Sequence, residues 1–195
     1  KIQSFLQKTA ILERMCGPLC DAVLADSSCS SQSTLEHLER ANLFIVPQDS
    51  ERRWYRYHQL FASLLRQRLG QSLTSQGIAN LHRLASEWYE NNELNLEAFR
   101  HAATASDYGR AIRLMESGKM PVQLRVAVTT MLNWLEKLPE DVKHAWPLLW
   151  WKQAALLLTI GQTTGVEEIL QLAEAALTAK SAPDVVPDDK SRDLM

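Results

Sequence analysis

The stretch "LFIVPQDSERRWYRYHQLFASLLRQRL", residues 43–69, decides the fold of this chain. It opens with a short β-branched and aromatic run, continues through the turn-forming segment "PQDSE", and then alternates in "RRWYRY" as a strand does. From residue 59 onward the apolar residues of "QLFASLLRQRL" recur with helical spacing. This order predicts a β-hairpin followed at once by a helix, with His58 where the strand stops and the helix begins.

Three helical segments precede this hairpin. The apolar residues of segment 2–14 fall on one helical face, and Gly17-Pro18 is expected to stop that helix. "LCDAVL" predicts a short second helix, and the spacing of Ser33 to Glu36 predicts a capping box at the start of a third. Three helices followed by a β-hairpin is the order of elements in a winged helix.

The chain beyond the hairpin has a helical pattern throughout. The polar segment "LGQSLTSQG" indicates a break between domains, and the last helical pair spans roughly the 34-residue period of a tetratricopeptide repeat, or TPR. Trp150 and Ala154 occupy that repeat's Trp and small-residue positions. We therefore predict a mostly α chain. It would hold a winged-helix domain at 1–70, an arm of antiparallel helices at 71–120 and the start of a TPR-like superhelical region at 121–195.

Composition excludes several classes of protein. The 195 residues are 46% hydrophobic, which is enough to bury a sizeable core. The net charge of −2 provides no global positive field that would attract nucleic acid. No apolar run approaches the roughly 20 residues that a membrane span needs. The sequence thus predicts a chain that does not enter a membrane.

The cysteines indicate reduced thiols rather than a disulfide framework. Three is an odd number in a mid-sized chain, and this usage is typical of cytoplasmic proteins. Cys16, Cys20 and Cys29 could be combined with His37 as four metal ligands. Their spacing matches no common zinc pattern, and buried structural cysteines are the favoured interpretation, so we predict no metal site.

The sequence carries no catalytic motif that we could identify. It lacks the G-x-x-x-x-G-K-[ST] loop that holds a triphosphate, and it lacks G-x-S-x-G and H-E-x-x-H. The local context of every histidine is explained by helical packing. We therefore predict that this chain is not an enzyme by itself and holds no cofactor of its own.

The charges of the winged helix leave two hypotheses open. Glu36 and Glu39 outweigh Arg40 on the third helix, which in a DNA-binding winged helix would lie against phosphates. The wing and the helix after it carry a basic strip, made of Arg52, Arg53, Arg56, Arg66 and Arg68. Packing of the third helix on another domain is one interpretation. A DNA-contacting module that uses the basic wing is the alternative.

Four segments carry a resemblance to a known family. They are "FLQKTAILERMCGPLCDAVL", "LEHLERANLFIVPQDSERRWYRYHQLFASLLRQRL", "LHRLASEWYENNELNLEAFRHAATASDYGRAIRLME" and "MLNWLEKLPEDVKHAWPLL". In this order and spacing, the chain from about residue 5 to residue 180 resembles the MalT-type, LuxR-family ATP-dependent transcriptional regulators. These are a branch of the signal-transduction ATPases with numerous domains.

The resemblance implies an architecture and a function. Such regulators carry a P-loop nucleotide-binding domain, a winged helix, helical repeats that receive an inducer, and a C-terminal helix-turn-helix that binds DNA. The chain resembles the middle of this order. It is then expected to couple the nucleotide-binding domain to the helical sensor. ATP or ADP with Mg, DNA binding, and self-association upon activation would belong to a longer, cytoplasmic protein.

The resemblance also implies a role for His58. The wing in this superfamily commonly ends in a Met-His-Asp-like motif whose histidine reaches the β-phosphate of ADP and holds the protein closed. "YRYHQLF" places Tyr57, His58 and Gln59 there, so that Gln59 stands where the wider motif has Asp. Because alternate residues of a strand share a face, Trp54 and Arg56 are expected on the same side as His58, and Arg56 would add positive charge.

Other roles are open for these residues. Arg52, Arg53, Trp54 and Tyr57 are candidates for a contact with another domain. His58 could instead cap the helix that starts at residue 59, or pack on Trp54.

Overall fold

The computed structural model describes residues 2–25 and 30–181, and the described chain is mostly helical. Within it the elements follow in this order: α1 (Ile2–Thr9), α2 (Gly17–Leu24), α3 (Ser31–Arg40), β1 (Ile45–Pro47), β2 (Tyr55–Tyr57), α4 (Gln59–Ser72), α5 (Ser75–Asn91), α6 (Asn95–Thr104), α7 (Tyr108–Glu116), α8 (Arg125–Lys137), α9 (Glu140–Ala145), α10 (Leu148–Thr159) and α11 (Val166–Ser181).

The first part of the chain is a winged helix, as the sequence predicts. Helices α1–α3 precede an antiparallel hairpin in which Ile45 pairs with Tyr57 and Pro47 pairs with Tyr55. Helix α4 starts two residues after β2, so strand and helix meet at His58. The inward-facing side chains of the hairpin, of helices α1–α4 and of the loop after α1 form one core. This core includes Leu12, Leu19, Leu35, Leu38 and Leu65.

The first helix is shorter than predicted. It ends at Thr9 rather than near residue 14, and Gly17-Pro18 begins α2 instead of stopping α1. The reason is a long-range backbone contact: Met15 and Tyr55 exchange two N–H···O bonds of 2.8 Å. Met15 therefore forms an antiparallel β-bridge with Tyr55 of β2. The local pattern of residues 2–14 does not indicate this pairing.

The predicted capping box at Ser33 and Glu36 is wrong. Helix α3 begins at Ser31, and the Ser33 hydroxyl donates to the Ser30 carbonyl at 2.7 Å. Asp21, on α2, accepts from the Ser31 N–H at 3.0 Å. A side chain from the neighbouring helix thus satisfies one of the free N–H groups at the start of α3.

The contact between α2 and α3 gives a paired prediction about glycine. A Cβ at Gly17 would lie 2.8 Å from the Cβ of Gln32, whereas a Cβ at Gly70, in α4, would meet nothing within 4 Å. We expect Gly17→Ala to destabilise the fold by about 1–3 kcal/mol through overpacking. Gly70→Ala should stabilise it by about 0.5–1 kcal/mol through helix propensity. Urea unfolding of the two variants measures both signs, and equal effects would contradict the close approach at Gly17.

Helices α5–α7 continue the compact unit that starts with the winged helix. Thr74 caps α5 by accepting from the Gly77 N–H at 3.2 Å, and α5 packs on both α2 and α6. The chain divides into two compact units, Lys1–Pro121 and Val122–Met195. The polar segment at 69–77 is a junction between two helices inside the first unit. A three-part division at residues 70 and 120 stays a prediction.

The second unit is helical in its described part. Helix α10 packs against α8 and α11. Trp150 and Ala154 are both buried, and the Lys143 ammonium lies 4.9 Å from the centroid of the Trp150 ring. The TPR-like character of this unit stays a prediction. In the described residues of the whole chain, no helix is both long and apolar enough to cross a membrane.

Candidate functional site

The tip of the wing is held by one carboxylate. Asp49 accepts from the Arg53 N–H at 2.8 Å and from the Trp54 N–H at 3.2 Å. The Gln48 N–H donates to the Trp54 carbonyl at 2.7 Å, which closes the turn. Arg52 has a positive φ of 55° at this turn. These bonds fix the direction in which β2 leaves the tip.

Strand β2 alternates between core and surface as predicted. Tyr55 and Tyr57 are buried, while Arg56 between them is exposed. The Tyr57 and Thr9 hydroxyls lie 2.7 Å apart, and burial raises the pKa of Tyr57 above its ordinary value. The Tyr57 side chain therefore belongs to the core of the winged helix. It is not at the surface where a contact with another domain would need it.

His58 lies at a rigid point of the surface. Its side chain is exposed, and its backbone N–H donates to the Phe44 carbonyl at 2.7 Å. It holds the N-cap position of α4, but its side chain makes no cap bond. Among the described residues its imidazole makes no hydrogen bond or ion pair, and the Trp54 ring meets Trp88. Both structural alternatives for this ring, the helix cap and the packing on Trp54, are thus absent.

Two of the wing arginines are paired within the winged helix. The Arg52 guanidinium lies 3.4 Å from Glu39 on α3, and Arg53 contacts Glu51. In the described part of the chain, Arg56 has no ion pair. The charge of the basic strip is therefore partly neutralised at the tip. The remaining positive charge lies on Arg56 of β2 and on Arg66 and Arg68 of α4.

Trp54 joins the wing to α5. Its ring meets Trp88 edge to face, with centroids 6.2 Å apart, and the Arg14 guanidinium lies 4.7 Å from the Trp54 centroid. Arg14 in turn pairs with Glu97 on α6 at 2.9 Å. These contacts attach the loop after α1 and the wing to the helices that follow.

A polar cavity of about 320 Å³ lies at this junction, and the sequence did not indicate it. His82 and His101 line it, with their Nδ1 atoms 2.8 Å apart, and the Tyr89 ring stacks on His101 at 5.4 Å. One imidazole must donate and the other accept, so the accepting ring is neutral, and burial favours the neutral form of both. Burial lowers the pKa of His82 to about 4 and that of His101 to about 3, where the nearby Arg100 charge adds to the effect.

The cysteines do not form a metal centre in the part of the chain that the structure describes. Cys16 and Cys20 are buried free thiols, and burial raises the pKa of both. His37 is exposed on α3, and Cys29 lies outside the described residues. No group of three or more potential ligands gathers among the described histidines, cysteines and carboxylates.

Comparison with known proteins identifies the first part of the chain. Residues 1–76 match the family model of the MalT winged helix domain. These residues belong to the MalT winged-helix family. The match covers the three helices, the wing and α4, whose inward side chains share one core, and it includes the exposed His58.

Relatives of the MalT winged helix extend the similarity into the helices that follow. The chain is 30% identical to the HTH-type transcriptional regulator MalT of Cronobacter sakazakii over 172 residues, which are 88% of this chain and 19% of that protein. It is 35% identical to MalT of Klebsiella pneumoniae over 107 residues, or 55% of this chain and 12% of that protein.

A second kind of relative shares the same region. The chain is 34% identical to the serine/threonine-protein kinase PknK of Mycobacterium tuberculosis over 142 residues, which are 73% of this chain and 12% of the kinase. The chain thus spans between 12% and 19% of the length of the curated relatives it matches. The part of the chain that matches a family model is a winged helix rather than a catalytic domain.

Proposed function

We propose that this chain is a regulatory interaction module of an ATP-dependent, LuxR-family transcriptional activator. It would couple a nucleotide-binding domain to inducer-sensing helices, and its winged helix would stabilise the ADP-bound closed state. The match to the MalT winged helix and the MalT relatives support this proposal. The similarity to a protein named as a kinase supports a coupling role, because a similar region then occurs in proteins with two different named activities.

The observation that carries the proposal is the exposed, unpaired imidazole of His58 on a fixed backbone. Imidazole can donate a hydrogen bond to a phosphate oxygen in its neutral or protonated form. Arg56 is exposed on the same strand face and has no ion pair in the described residues, so it can add a charge-assisted bond. We propose that the two side chains bind the same phosphate group.

The rest of the nucleotide would have to be held by other residues. The chain has no P-loop, so ATP or ADP with Mg would bind a separate nucleotide-binding domain. That domain would meet the wing near His58, where Phe44 is 59% exposed. Arg52 and Arg53 are exposed at the tip of the wing, at the other end of the hairpin, whereas Trp54 and Tyr57 make their contacts inside the first unit.

The alternative of a DNA-contacting winged helix has less support. The exposed face of α3 carries Glu36 beside His37 and Arg40, and the wing arginines Arg52 and Arg53 are paired with carboxylates. A helix that lies against phosphates gains affinity from unpaired cations, and this one presents a carboxylate. Under the proposal, DNA is bound by a helix-turn-helix elsewhere in the regulator.

The proposal predicts the effect of removing the imidazole. In the intact regulator, we expect the wild type to retain ADP through desalting, and His58→Ala to release it and to raise transcription without inducer. The phosphate bond is lost, whereas the exposed position leaves the fold intact. Bound nucleotide after desalting is the measurement. His37→Ala, which also removes an exposed histidine, is the matched control and should behave as wild type.

Two outcomes would overturn the sensing role. The first is equal ADP retention by the wild type and by His58→Ala when both are folded. The second is release of ADP by His37→Ala to the same extent, which would show a general loss of winged-helix integrity. Arg56→Gln should weaken retention less than His58→Ala, since it removes only the added charge.

A further inference from the structure

The polar cavity of the first unit is large enough for a small organic molecule. Its volume of about 320 Å³ lies at the lower end of the range of ligand sites in proteins. The loop after α1, the wing residue Gln48, and helices α5 and α6 all contribute to its lining. Neither Arg56 nor His58 lines it, so the cavity is separate from the proposed phosphate site.

The charges that line this cavity cancel. The lining contains two positive and two negative side chains, which are Arg14, Arg100, Glu13 and Glu97. The two histidines of the cavity add no charge near pH 7, because burial lowers the pKa of both. A ligand with a net charge would leave that charge unbalanced in a half-buried site, whereas a neutral or zwitterionic ligand would keep the balance.

One ion pair at the cavity is loose. Arg14 donates a hydrogen bond to Glu97 at 2.9 Å, and its guanidinium lies over the Trp54 ring, so its position is fixed. The Arg100 guanidinium lies 3.6 Å from the Glu13 carboxylate, which is beyond hydrogen-bond distance, and 78% of the Glu13 side chain is exposed. Such an exposed pair contributes little to stability. Arg100 and Glu13 can therefore separate, and each can take a new partner of opposite charge.

The histidine pair adds uncharged hydrogen-bonding groups to the cavity. The Nδ1 atoms of His82 and His101 bond each other at 2.8 Å, and within the described residues no partner bonds the Nε2 atom of either ring. Because one ring donates through Nδ1 and the other accepts, one Nε2 atom is an acceptor and the other carries a proton. A hydroxyl or carboxamide group, which both donates and accepts, would complement these two atoms.

We propose that this cavity binds a free α-amino acid with an uncharged polar side chain. The carboxylate of the ligand would pair with Arg100 and its ammonium with Glu13, in place of the loose contact between those two residues. Its hydroxyl or carboxamide would bond the histidine pair. The ligand would contact the loop after α1, the wing and α5–α6 together, so binding would stabilise the first unit. This site uses neither His58 nor a nucleotide and does not depend on the proposed phosphate sensor.

The first test is a thermal-shift series on the 195-residue chain with L-serine, L-threonine, L-asparagine and L-glutamine. At about 10 mM, at least one of the four should raise the unfolding temperature by about 2–4 °C. In titration calorimetry, L-leucine and L-glutamate should bind about tenfold more weakly or worse, because one lacks the polar group and the other has a net charge. The N-acetyl and carboxamide derivatives of the amino acid that binds each lack one charge, and they should lose about tenfold or more as well.

Two variants with matched controls locate the site. Thr104→Trp places a large side chain at an exposed position that lines the cavity, and it should abolish the shift, whereas Thr129→Trp makes the same change on α8 and should keep it. Arg100→Gln removes the partner of the ligand's carboxylate and should weaken binding about tenfold or more. Arg113→Gln removes an exposed arginine that pairs with Glu90 away from the cavity, and it should bind as the wild type does.

The proposal fails in any of three cases. If none of the four amino acids shifts the unfolding temperature, the cavity holds water alone. If the N-acetyl derivative binds as tightly as its parent, the ammonium has no partner and the site is one for simple anions. If the shift persists in Thr104→Trp, the amino acid binds elsewhere on the chain.

Discussion

Replacing Tyr89 by alanine is expected to destabilise the first unit by about 3–5 kcal/mol, the usual cost of deleting a buried aromatic side chain. Tyr89 is 1% exposed, and its ring lies 5.4 Å from His101 and 5.5 Å from Trp88. Its hydroxyl donates to the Arg14 carbonyl at 3.2 Å. The side chain thus connects α5, α6 and the loop after α1 of the winged helix.

Hydrogen exchange would show where this destabilisation acts. Amides of α2, α5 and α6 should all exchange faster in Tyr89→Ala, because α2 and α6 both pack on α5, which carries Tyr89, whereas the α10 amides should be unchanged. Tyr89→Phe keeps the ring and should cost only about 1 kcal/mol, the value of one hydrogen bond. Trp151→Ala removes an aromatic ring that is 58% exposed and should be nearly neutral. A similar cost for Trp151→Ala and Tyr89→Ala would contradict the role of Tyr89.

The parts of the fold that follow a local pattern could be predicted from the sequence. The alternation of "RRWYRY" and the helical spacing after it placed His58 at the boundary of β2 and α4, where the structure has it. In these segments the apolar period alone determines which face is buried.

Elements that depend on partners distant in sequence could not be predicted. The end of α1 at Thr9 depends on Met15 pairing with Tyr55, and the start of α3 depends on Asp21. Trp54 meets the Trp88 ring of α5 inside the first unit, and its role in a contact with another domain stays a prediction. No local rule reveals such a pair, because both rings have ordinary helix or strand neighbours in the sequence.

The candidate site was predicted in part. The position and exposure of His58 follow from strand period and helix start, while the proposed contact with a phosphate would depend on a separate nucleotide-binding domain. The pair formed by His82 and His101 was missed, since 19 residues separate the two and each fits a helical pattern. Two histidines on successive helices of a predicted antiparallel pair are the signal that could have indicated their contact.

This histidine pair predicts that the first unit loses stability in mild acid. The folded pKa values, about 4 for His82 and about 3 for His101, lie below the ordinary value of 6.5. Between these values the unfolded chain binds protons that the folded chain does not, so the free energy of unfolding falls as the pH falls. The stabilisation is complete above about pH 6.5 and decreases toward pH 4, on the order of 2 kcal/mol for each histidine by pH 5.

The effect depends on the groups that face the pair. The Arg14 and Arg100 charges oppose protonation of the imidazoles. Glu97, which pairs with Arg14 at 2.9 Å, and Glu13, which pairs with Arg100 at 3.6 Å, would favour it. Urea unfolding at pH 7 and pH 5 measures the loss. His101→Gln should reduce the difference in the free energy of unfolding between pH 7 and pH 5 by about the contribution of one histidine. His144→Gln, at an exposed site, should leave that difference unchanged. An unchanged pH dependence in His101→Gln would mean that the acid sensitivity comes from the carboxylates instead.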